Sequence, residues 1–69
     1  MKIVRGNRGF AWANFRDTYG EPCSLQESSL ISPHIWLGRD QMRMHLSQEQ
    51  VKELLPMLQA FVETGKIDT

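Results

Sequence analysis

His34-Ile-Trp-Leu-Gly-Arg-Asp-Gln-Met-Arg-Met-His-Leu46 decides how this chain is read, because its alternation and its central turn signal define a β-hairpin and what each face carries. A four-residue turn over Gly38–Gln41 would set Leu37 opposite Met42, Trp36 opposite Arg43, Ile35 opposite Met44 and His34 opposite His45. Side chains alternate along a strand. Ile35, Leu37, Met42, Met44 and Leu46 therefore point one way, while His34, Trp36, Arg43 and His45 point the other. The first face is aliphatic and suited to a core. The second mixes aromatic and basic groups and needs a different explanation.

Upstream, Phe10–Arg16 alternates and reads as a strand, with Phe10, Trp12 and Asn14 on one side and Ala11, Ala13 and Phe15 on the other. Asp17-Thr-Tyr-Gly20 closes a turn, since Asp bonds its own backbone and Gly takes positive φ without strain. The returning strand spans about 23–30, the opening hairpin supplies strands at about 34–37 and 42–46, and Lys2–Arg5 forms a short strand or an ordered arm. Ser47 with Gln50 makes a capping box. A helix over about 48–64 follows. Its apolar stripe is Val51, Leu54, Leu55, Leu58, Phe61 and Val62, Pro56 should kink it, and Gly65 ends it. The expected architecture is α+β: one domain over residues 1–69, an antiparallel meander of three to four strands with the C-terminal helix packed on its aliphatic face.

Sixty-nine residues allow one thin core, which makes oligomerisation an expectation from size alone. Cys23 is the single cysteine, so an intramolecular disulfide and a cysteine-only zinc site are excluded and a reducing cytoplasm fits. No signal peptide or membrane-spanning run is apparent. Eight basic residues balance eight acidic ones, which removes the long-range field that draws proteins to nucleic acid. Locally the balance tips. Lys2, Arg5, Arg8 and Arg16 all precede the first acid, Asp17, giving a basic amino-terminal edge.

His34 and His45 could supply two metal ligands, but two are too few, and neither a metal nor a cofactor is expected. No nucleophile elbow, spaced Cys and His signature or phosphate loop is present, so the chain reads as a binding protein rather than an enzyme. Trp36 across from Arg43 has cation–π geometry, and Trp and Arg are the side chains most enriched among interface hot spots. Trp36, Arg43, His34, His45 and Trp12 thus form the expected partner surface, toward a second copy or a host protein. A nucleic-acid module with Arg5, Arg8, Arg16 and Arg43 as contacts is the alternative. A small-ligand sponge using the row Ser24, Gln26 and Ser28 is a third reading.

The motifs Asp17-x-Tyr-Gly20, Cys23-Ser-Leu-Gln-x-Ser-Ser29, Ile35-Trp-Leu-Gly38 and Met44-His-Leu-Ser47, with Gln50-Val51, Leu54-Leu55 and Phe61 to Gly65 after them, resemble a family of small bacterial and bacteriophage proteins of unknown function. The resemblance covers residues 10 to 67. It implies a phage or prophage setting, a chain that is one complete domain, and a role such as inhibitor or adaptor of a host protein. It transfers no catalytic or binding residue. Some family members carry a longer insert between the Trp-Leu-Gly and Met-His-Leu segments, where this chain has the short form.

Overall fold

The computed structural model describes residues 1–68 and has five strands and a helix: β1 (Ile3–Arg5), β2 (Ala11–Arg16), β3 (Pro22–Glu27), β4 (His34–Arg39), β5 (Met44–Ser47) and α1 (Gln48–Thr64). The strands form one antiparallel sheet in chain order. The α+β meander stands, with one strand more than the upper count because Ile3–Arg5, expected as a short strand or an ordered arm, pairs with Ala11–Ala13.

Two ladder rows define the faces, since residues directly opposite in an antiparallel pair share a side. Ile3, Ala13, Leu25, Leu37 and Met44 run across one face, and Val4, Trp12, Gln26, Trp36 and His45 run across the other. Three strand boundaries shift by two residues or more from the expected ones. β3 stops at Glu27, with Ser28 still donating its N–H to the His34 carbonyl and Ser29–Leu30 bending away, whereas β4 runs on to Arg39 and β5 starts only at Met44. The hairpin register moves with them: Leu37 pairs with Met44, Trp36 with His45, Ile35 with Leu46 and His34 with Ser47. This corrects the expected pairs by two residues, and an even shift preserves the faces. Met42 loses its place on the aliphatic side and sits in the turn, exposed.

The reason lies on the neighbouring strand. Arg39 pairs with Cys23 in the ladder, and its guanidinium reaches the Asp17 carboxylate at 3.1 and 3.2 Å, which holds β4 extended two residues past the expected turn. Asp17 also accepts hydrogen bonds from the Tyr19 and Glu21 backbone N–H groups, while Gly20 takes φ 85° as the turn requires. One carboxylate thus organises both the β2–β3 turn and the end of β4.

The helix starts and stops where expected. Ser47 and Gln50 make both bonds of the capping box, Gly65 closes the end at φ 81° with its N–H on the Phe61 carbonyl, and the helix is continuous through Pro56. It covers little of the sheet. Its backbone approaches the sheet chiefly at β5. Its one buried residue is Ala60, which lies about two and a half turns beyond Val51 and hence points to the opposite side from it. Val51 is half-buried, but Leu54, Leu55, Leu58, Phe61 and Val62 remain exposed, so the expected stripe faces largely outward.

The fold predicts an acid sensitivity. Hydrogen bonds from the Glu21 and Tyr19 backbone N–H groups and from Arg39 hold the Asp17 carboxyl below its ordinary value of 3.8. A lowered value in the folded state means that Asp17 contributes stability fully above pH 3.8, and that this contribution fades as pH falls through the lowered value. Asp17→Asn should melt at a lower temperature than the wild type at pH 7, and the gap should close in scans taken progressively below pH 3.8.

Candidate functional site

The face opposite the aliphatic row carries a connected polar and aromatic cluster. His45 lies flat against Trp36, with ring centroids 3.9 Å apart and planes 12° from parallel. The Arg43 guanidinium carbon stands 5.7 Å from the Trp36 ring centre, and that side chain donates to Gln26 Oε1 at 2.7 Å and Ser24 Oγ at 3.3 Å. His45 Nε2 is 2.9 Å from Ser28 Oγ. The His34 ring stands 5.0 Å from that of His45, and the Nδ1 of His34 is buried without a protein partner. Four of the five expected surface residues therefore come together, though Arg43 reaches Trp36 from the β4–β5 turn rather than from the opposite ladder position. Trp12 shares the ladder row but is separated from Trp36 by Gln26, and its ring packs toward Gly6.

Gly38 is what lets Arg43 in. It occupies the same face as Ser24, its ladder partner, and having no side chain it leaves a lane along which the Arg43 guanidinium crosses β4 to reach Ser24 and Gln26 on β3. A Cβ on Gly38 would stand 3.4 Å from the Arg43 Cα, and the residue sits at φ 136°, a conformation other residues rarely adopt.

Ser24, Gln26 and Ser28, the row expected to serve a small ligand, are engaged inside the chain. Ser24 and Gln26 receive Arg43, and Ser28 is buried, meets His45 and accepts from the Leu30 and Ile31 backbone N–H groups. The residues that sequence reasoning undervalued are these acceptors, because pairing them with Arg43 and His45 requires the three-strand register. Ser28 beside His45 has the distance of a nucleophile and base. The hydroxyl is buried and already accepts the two backbone N–H groups of the turn it ties. Cys23 is buried on the other face, away from both histidines.

The arginines of the basic edge are dispersed. Arg5 bonds the Gly9 carbonyl and stands 3.7 Å from Glu27, and Arg16 bonds the Gly20 carbonyl at the other end of β2. Arg8 joins Arg5 beside an open cleft of about 470 Å³ near the start of α1. Arg5 and Arg43 lie on opposite faces of the sheet. Among the described residues no group of three His, Cys, Asp or Glu side chains is placed to hold a metal ion, and no helix is long and apolar enough to cross a membrane.

Comparison with protein-family models, curated proteins and solved structures finds no match to this chain.

Gly38→Ala tests the lane. It should destabilise the fold by about 1–3 kcal/mol in urea titration, the cost of forcing a side chain into that backbone conformation. The environment of Trp36 should change with it, read as a shift in tryptophan emission before the unfolding transition.

Proposed function

We propose that the chain is a non-enzymatic protein–protein interaction module acting in the cytoplasm, whose partner surface is the platform built from Trp36, Arg43, His45 and His34. The observation that carries this reading is the pre-organised state of hot-spot side chains. Trp36 is stacked and Arg43 is hydrogen-bonded to two acceptors before any partner arrives, so little rotamer freedom remains to be lost on binding. The half-buried indole offers apolar area at the centre, with basic and hydroxyl groups around it, which is the composition of an interface core and its rim. Such a surface suits a partner presenting carboxylates near an apolar or aromatic residue. An inhibitor or adaptor of a host protein is the role that the phage-family resemblance favours.

The nucleic-acid alternative is weaker on two counts. His45 already occupies a face of the Trp36 ring where a base would stack, and Arg5, Arg8, Arg16 and Arg43 do not share one surface. The sponge alternative is weakened by the engagement of Ser24, Gln26 and Ser28.

The test is capture from host lysate with immobilised protein. Trp36→Ala with Arg43→Ala should lose the specific bound protein that the wild type retains, with the sheet's circular dichroism unchanged. Equal capture by both forms would remove the reading. Duplex DNA should bind negligibly at 50 mM salt, whereas binding that weakens about 10³-fold or more toward 200 mM would favour the nucleic-acid alternative instead.

A further inference from the structure

We propose that a second copy of this chain covers the outward stripe of α1, pairing the two helices antiparallel about a two-fold axis. This goes beyond the partner platform and rests on different residues. The first observation is the shortage of core. Among the described residues the buried apolar ones are Ala13, Cys23 and Ala60 and no large side chain is fully buried, although 41% of the sequence is hydrophobic. Six of the sixteen exposed large hydrophobic residues share the helix, where Leu55, Leu58, Phe61 and Val62 are 58, 52, 54 and 81% exposed. With Leu54 and Met57 they leave a stripe of several hundred Å² in water, in the range of the roughly 300–600 Å² of the largest patch on an ordinary monomer and a substantial part of the about 800 Å² per partner of a standard interface.

The spacing selects another helix as the cover. Val51, Leu55, Leu58 and Val62 follow steps of four, three and four, the repeat with which two helices mesh along a seam. The charges select a copy running the other way. Lys52 and Glu63 lie on the same flank of that stripe near its two ends, and an antiparallel pair that sets Leu55 against the partner's Leu58 brings Lys52 of each copy toward the partner's Glu63. A chain of zero net charge meets no overall repulsion from its own copy. A fold with so little buried by itself needs its cover from the moment it forms. A second copy is the partner that synthesis always supplies in matching amount.

Sedimentation equilibrium at about 10 μM should return twice the 8.0 kDa of one chain. Leu58→Glu should abolish the dimer. Lys52→Glu, a surface change that spares the fold, should raise the dimer dissociation constant about five- to tenfold, and Lys52→Glu with Glu63→Lys should restore it. The Trp36→Ala, Arg43→Ala variant should keep the dimer mass, so loss of the platform and loss of the seam are read separately. An 8.0 kDa wild-type species with intact helical circular dichroism, or a dimer indifferent to Leu58→Glu, would overturn the proposal. So would a monomer that binds phosphatidylcholine–phosphatidylserine vesicles through the same stripe. A Lys52→Glu dimer of unchanged affinity would overturn the antiparallel arrangement.

Discussion

The constraint on which this structure depends is that its sheet is held edgewise, by ladder bonds and side-chain ties, far more than by burial. A 69-residue chain can remove only about 60% of its unfolded surface from water, and here that burial falls on small residues: Ala13 in the sheet, Cys23 beside it, Ala60 in the helix. Spread follows from this. The radius of gyration is 13.2 Å, against about 11 Å for a compact chain of this length. Lateral order then has to come from specific polar contacts, and two that reach far along the chain are Arg39 on Asp17 and Arg43 on Ser24 and Gln26. Each ties a residue of the last hairpin to a turn or strand formed about twenty residues earlier. Both also involve arginine, whose planar guanidinium serves two acceptors or an acceptor and a ring at once.

How much of this was legible in the sequence depends on whether the deciding contact was local. The capping box of Ser47 and Gln50, the stop at Gly65 and the Asp17–Gly20 turn were all readable, because each is satisfied by residues within four positions of one another. The two faces of the last hairpin were readable as well, since period-two alternation survives a shift of two residues. The register was not, because what prolongs β4 to Arg39 is a carboxylate 22 positions earlier. The helix shows the same limit. Its stripe is plain from spacing, yet spacing does not say whether the sheet of the same molecule or another surface will cover it, and here the stripe stays largely exposed.

The candidate site was half legible for a related reason. Trp36, Arg43, His34 and His45 fall on one face by alternation alone, and the structure brings them together. Their acceptors come from β3 and the turn after it, where Ser24, Gln26 and Ser28 read as an independent hydroxyl and amide row. Only the three-strand register shows that this row is the floor on which the basic groups rest. Gly38 completes it by an absence: an ordinary side chain there would stand between donor and acceptors.

The two surfaces consequently differ in what they ask of a partner. The Trp36 platform has its hydrogen bonds largely satisfied and its rings stacked, so leaving it in water costs little, and a partner gains mainly by covering a rigid indole and adding charge complementarity around it. The helix stripe has no internal satisfaction to fall back on, because exposed Leu, Phe and Val side chains are stabilised only by removal from water, at roughly 25 cal/mol per Å². A surface of the first kind can stand open to water at little cost. One of the second kind gains by being closed, and the helix pairing proposed above would close it with residues that the Trp36 platform does not use.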